Sequence, residues 1–259
     1  MSNSTLAIIN SKNRLSESIS SSNFSYNIGS AIEIQEIAIK SISLPNTAYN
    51  ITLYNNRLDY VYGGVPKTVS LPYGQYDVAT LITSLTTLMT NAGSPVTITQ
   101  NPLTYKLKFL FTLATYFNID TLSTLPYYIG FNLKNVSQFP ISASPTILAP
   151  NVPNLQGTNN YYVASRTLGQ GTNALLYNAV RNLAIIAVIP NNVPYGSIIQ
   201  YMPTDILLDL KLYASKQNIQ QIDIVILDTD FNIVDLNGSD VELCFKCYMK
   251  SRVEEWSNK

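Results

Sequence analysis

The chain has 259 residues, of which 46% are hydrophobic and 12% charged, and it contains no histidine. That length and apolar content allow a core burying roughly three quarters of the unfolded surface, which excludes a disordered chain and removes any need for a disulfide or metal to fold. Lys plus Arg and Asp plus Glu each number 16, so the formal charge is zero and the basic excess that suits a grip on nucleic-acid phosphates is absent.

Residues 1–30 are rich in Ser and Asn and read as an N-terminal arm with short strands at Leu6–Asn10 and Asn23–Ile28. The apolar run Leu6–Ile9 is too short for a secretory core, so cytosolic synthesis is expected. The domain proper runs 31–259. Its first strong strand is Ile32–Leu44, where Ile32 and Ile34 share one face, Ile37 and Ile39 the other, and Ile42 and Leu44 switch again. Two changes of buried face predict bulges. Pro45-Asn46 closes the strand. Tyr49–Tyr54 and Leu58–Tyr62 are predicted as short strands, the second ended by Gly63-Gly64.

One helix is predicted. Asp77 is placed to cap it, Val78, Leu81, Ile82, Leu85, Leu88 and Met89 form a stripe, and Asn91 and Gly93 stop it. Val96–Gln100 and Thr104–Thr112 read as a hairpin with Leu107, Phe109 and Phe111 on one face. Residues 140–160, with four prolines, read as an extended connection. Strands resume over Leu175–Ile189 in two segments meeting near Arg181-Asn182, then at Ile198–Tyr201, Ile206–Tyr213, Ile222–Leu227 and Val241–Met249. The densest apolar run, Leu183–Ile189, ends at Pro190 and is too short to span a membrane. Many short strands with regular turn signals and a lone helix predict an all-β antiparallel sandwich. The helix and hairpin sit in residues 57–140 as an inserted accessory module.

The missing histidine removes Ser-His-Asp and Cys-His triads and His-ligated zinc. No catalytic, cofactor or metal residues are assigned, and the expectation is a protein that is not an enzyme. Cys244 and Cys247 form C-x-x-C, but alternation places Val241, Leu243, Phe245, Cys247 and Met249 on one face and Cys244 on the other. A redox pair needs a helix N-terminus and zinc needs a second ligand pair, so two free thiols are expected, one in the core. Asp228-Thr229-Asp230-Phe231-Asn232 imitates the start of a calcium loop, yet Ile233 replaces its Gly and Ser239 its Glu, so a hairpin turn with Asx-type bonds is the better reading. Gly169-Gln170-Gly171 lacks the Lys of a phosphate loop. The carboxylate pairs Asp205/Asp209 and Glu254/Glu255 read as solvated charges. Tyr127-Tyr128 and Tyr161-Tyr162 suit sugar stacking, core packing or a subunit contact alike.

Several stretches, in order, resemble the penton and minor capsid proteins of virophages, polinton-like viruses and related double-stranded DNA viruses. They are NFSYNIGSAIEIQEIAIKSISLPNTAYNI, VSLPYGQYDVATLITSLTTLM, LTYKLKFLFT with LPYYIGF, VPYGSIIQYMP, and LDTDFNIVDLNGSDVELCFKCYM, together spanning most of residues 23–250. In the last stretch Phe231 stands where the hairpin pattern has Gly, which makes the adjacent Asn232 the candidate left-handed residue. Val241-Glu242 also replaces an aromatic start to the closing strand. The resemblance implies a single jelly roll, a homopentamer at icosahedral fivefold vertices, and a double jelly-roll major capsid protein as neighbour. A host-surface glycan or a vertex fibre is a further candidate partner. Location in the virion follows, after synthesis in the host cytosol or a viral factory. No catalytic residue carries over. Other readings are a carbohydrate-binding or host-attachment jelly roll and another minor capsid (cement) protein. Arg14, Tyr127, Tyr128, Tyr161, Tyr162 and Trp256 are the candidate subunit contacts.

Overall fold

A computed structural model describes residues 4–112, 117–132, 146–168, 176–178, 183–203 and 211–249. The expected loop at 169–171, the Asp205/Asp209 and Glu254/Glu255 pairs, Arg181-Asn182 and Trp256 lie outside the described residues, as does most of the expected strand 206–213.

The chain divides into two compact units. One comprises Met1–Ala48 with Thr158–Lys259, and the other is Tyr49–Gly157. The first unit is all-β. Its strands are β1 (Ser4–Asn10) and β2 (Asn23–Pro45), then, after the second unit, β9 (Asn160–Ser165), β10 (Leu176–Asn178), β11 (Leu183–Pro190), β12 (Ile198–Tyr201), β13 (Lys211–Leu227) and β14 (Glu242–Tyr248). They join in the order β1-β14-β2-β13-β9-β11-β10, with β12 also pairing β2, and every pairing is antiparallel.

β2 organises this sheet because it is long enough for three partners. One side pairs with β13 over residues 23–37 and then with β12 over 42–45, while the other pairs with β14 over 36–43. The parity changes in its isoleucine pattern coincide with register shifts. Cys244 lies opposite Ser41 but Phe245 lies opposite Ile39, so Lys40 is bulged out and Ile37, Ile39, Ile42 and Leu44 all reach the core. Ala7 and Ile9 of β1, Ile186 and Ile189 of β11, and Leu243 and Phe245 of β14 belong to that same core. On a flat sheet β1 and β11 would stand roughly 24 Å apart. Sharing one core requires the sheet to curl over on itself, and the result is a single jelly-roll sandwich.

The N-terminal arm, expected to carry short strands at Leu6–Asn10 and Asn23–Ile28, contributes β1 and the start of β2 to this sheet. Ala7 faces Phe245 and Ile9 faces Leu243 across the β1–β14 ladder, so alternate apolar positions tie the segment down. The loop back to β2 is held by Ser11, whose hydroxyl donates to Asp240 at 2.8 Å and accepts from the Val241 N–H at 2.9 Å.

The second unit carries β3 (Arg57–Tyr62), β4 (Val65–Ser70), α1 (Val78–Asn91), β5 (Val96–Gln100), β6 (Leu107–Phe111), β7 (Phe117–Ile119) and β8 (Thr146–Leu148). Two three-stranded sheets, β4-β3-β7 and β5-β6-β8, form with α1. Asp77 caps α1 through a reciprocal capping box with Thr80, and Leu81, Leu85 and Met89 turn inward at i, i+4 and i+8. They join a separate core in which Phe117 lies 5.5 Å from Tyr60 and 4.9 Å from Phe111 between ring centroids.

Two expectations change here. Tyr49–Tyr54 is a turn with one bridge, Ile51 to Gly74, because Asn side chains take its backbone groups: Asn55 accepts from the Thr52 N–H and donates to the Asn50 carbonyl. Part of the extended connection 140–160 is the strand β8. Its three residues are too few to show a period.

Candidate interaction surface

The candidate contact residues scatter across the surface and the core. Arg14 is half-exposed, donates to the Ser11 carbonyl at 2.9 Å, and stands 3.6 Å from Asp240. Tyr127 is 57% exposed on a short 3₁₀ turn, Pro126–Ile129, and sits edge-on to the half-buried Tyr128 at 5.6 Å. The neighbouring pair divides differently, because strand alternation sends its two rings to opposite faces of β9. Tyr161 is only 1% exposed and its hydroxyl donates to Asn46 at 2.8 Å, so this ring belongs to the chain's own core and has no surface to offer a neighbour. Burial, then the Asp228 charge, raises its pKa. Tyr162 is half-buried and stacks on Phe231 at 5.0 Å.

That stack explains the hairpin at 228–232. Asp228 accepts from the N–H groups of Asp230 (2.9 Å) and Asn232 (2.8 Å), an Asx turn as expected. The left-handed residue is Phe231 itself, at φ 62, and Asn232 is not left-handed. A bulky residue there costs about 1–2 kcal/mol. The ring stack on Tyr162 offsets much of this, being worth about 0.5–1.5 kcal/mol. Sequence reading chose Asn by intrinsic preference and had no access to the tertiary partner.

The C-x-x-C residues are free thiols on opposite faces of β14. Val241, Leu243, Phe245 and Cys247 are buried, whereas Met249, expected with them, is exposed just beyond the strand's end. Burial, then neighbouring Cys244, pushes the Cys247 thiol up to about 11. Such a thiol is no nucleophile at neutral pH. Among the described residues no group of three His, Cys, Asp or Glu side chains could hold a metal ion. No described helix is long and apolar enough to cross a membrane.

The surface feature that sequence reading missed is the edge of the jelly roll. β1 stands at the end of the sheet, and among the described residues no strand pairs with its outer edge. Its sequence, STLAIIN, has no charge and no proline, and Leu6 and Ile8 project outward 58% and 59% exposed. Proteins that stay apart protect such edges with Lys, Pro or bulges. This one is bare. The alternation of Leu6 and Ile8 against Ala7 and Ile9 was visible in the sequence, but only the topology makes β1 an edge.

Fold and site define a class: a single jelly-roll sandwich interrupted in sequence by a compact unit, with an apolar edge strand left unpaired among the described residues. No protein-family model matches the chain, and no curated protein matches it in sequence. In fold it is similar to the crystal structure of the mavirus penton protein, with a TM-score of 0.50 and 9% identity over 94% of this chain and 99% of that one. At that identity the likeness is one of fold.

Proposed function

We propose that the chain is a structural capsid subunit at the vertex of an icosahedral virion, assembling as a homopentamer beside a double jelly-roll major capsid protein. The observation that carries this reading is the fold likeness to a penton protein over nearly the whole of both chains. The bare apolar edge of β1 and the low charge content support it, since neither keeps copies apart. Five copies in a ring use one heterologous contact repeated around the axis, so a surface on each subunit meets a different surface on the next. In this reading the 49–157 unit is an accessory module on the outer face of the vertex, and the protein acts in the virion after synthesis in the host cytosol or a viral factory. Negative-stain imaging of the purified chain tests it. Rings with fivefold rotational averages are expected, and a field of single particles at every concentration overturns it.

A further inference from the structure

β13 changes character along its length. Residues 222–227 are mostly aliphatic, whereas 218–221 read Asn-Ile-Gln-Gln. The ladder with β2 breaks at the same place: Ile219 pairs with Ile32 but Gln221 pairs with Asn27, so residues 28–31 of β2 face Gln220 alone. Gly29 makes this bend at φ 86 and donates to the Asn27 side chain at 2.8 Å. A bulge of this kind turns consecutive side chains to one side, and Gln220 and Gln221 are both exposed between buried Ile219 and Ile222.

On the other flank, the turn after β9 wraps the Asp223 carboxylate. That carboxylate accepts from the Arg166 N–H at 2.9 Å, the Thr167 N–H at 2.6 Å and the Ser165 hydroxyl at 3.2 Å. Its charge is therefore satisfied by donors that leave the Arg166 side chain unused. The Arg166 guanidinium makes no ion pair or hydrogen bond among the described residues. Between these elements lies a cleft of about 440 Å³ lined by Ser25, Arg166, Asn218, Gln220 and Gln221, with Ile219, Thr167 and Asp223.

We infer that this cleft is a binding site for a carboxylate-bearing sugar. A guanidinium that makes no ion pair among the described residues offers the planar fork that a carboxylate occupies bidentately, while the Asp223 carboxylate in the same lining is held by its own donors. Three side-chain amides and a hydroxyl each offer both a donor and an acceptor, the combination that matches vicinal hydroxyls. No aromatic ring lines the cleft, so a neutral sugar has no face to stack on and is held weakly. The site does not depend on the vertex reading, and either can fail alone.

D-glucuronate and D-glucose differ only in the C6 carboxylate, and acetate supplies the carboxylate without the hydroxyls. Titrating each into the full chain while following the amide signals of Asn218, Gln220 and Gln221 by NMR separates the contributions. Glucuronate is expected to shift these signals, with glucose and acetate each at least about tenfold weaker. Arg166→Gln brings glucuronate down to the glucose level, and Gln221→Ala weakens both sugars. Both positions are exposed, so the rest of the spectrum reports an intact fold. The inference is overturned if the cleft signals do not move, if acetate or glucose matches glucuronate, or if Arg166→Gln binds unchanged.

Discussion

Gly130 holds a crowded backbone position in the second unit. It sits at φ 89, and a Cβ there would lie 2.3 Å from the Asn151 carbonyl oxygen. Gly196 has a similar φ of 84 but open space around it. Gly130→Ala is therefore expected to cost at least about 3 kcal/mol in urea denaturation, and Gly196→Ala only about 1 kcal/mol. Equal losses would show that the Asn151 contact plays no part. The buried thiol gives a pH prediction. The folded-state pKa of Cys247 is raised from 9.0 to about 11, so the folded chain keeps a proton that the unfolded chain releases over that range. Stability is intact below pH 9 and falls as pH rises toward 11, by about 2 kcal/mol from this group. Cys247→Val removes that part of the alkaline slope, and an unchanged slope in the variant would contradict the assignment. Residue identities alone revealed which cysteine turns inward, because strand alternation decides it. The buried fate of Tyr161 was not legible, since two adjacent tyrosines look alike until β9 has neighbours on both faces.

At the scale of elements, Asn50 and β1 matter most. Asn50 is buried, and its amide donates to the Tyr76 and Leu155 carbonyls at 2.8 Å each while its carbonyl accepts from the Tyr76 N–H at 2.9 Å. One side chain thus ties the start, the helix entrance and the end of the second unit. Asn50→Ala leaves three part-buried backbone groups without their partner and should cost about 2–3 kcal/mol, read as a drop in thermal midpoint. A cost below about 0.5 kcal/mol would mean water replaces the clamp freely. Its N-x-T motif is not open to glycosylation in the folded chain, because the amide is already spent. Ile8→Lys tests the edge strand. The side chain is 59% exposed, so folding survives, while a charge on the bare edge should reduce self-association at least about tenfold by light scattering. Undiminished association would remove β1 from the assembly surface. The helix, its cap and the β5–β6 hairpin were all legible in the sequence, because local periodicity and turn residues specify them. The β2 pairings and the edge position of β1 were not, because strand order depends on partners distant in sequence.

For the whole molecule, the all-β sandwich was readable from strand spacing and the solitary helix. The extent of the inserted unit was not: it runs from 49 to 157 because β8 and the Asn50 clamp recruit segments with no periodic signal of their own. Nothing in the sequence marked the Arg166 cleft either, since its lining residues come from β2, the turn after β9 and β13, and meet only in the folded sheet. The vertex reading rests on the curl of one sheet and its likeness to a penton fold, and it makes a definite statement about stoichiometry. Sedimentation equilibrium of the purified full chain across a wide concentration range measures that directly. The reading predicts a limiting mass five times that of the 28.7 kDa chain, and a stable monomer or trimer would contradict it.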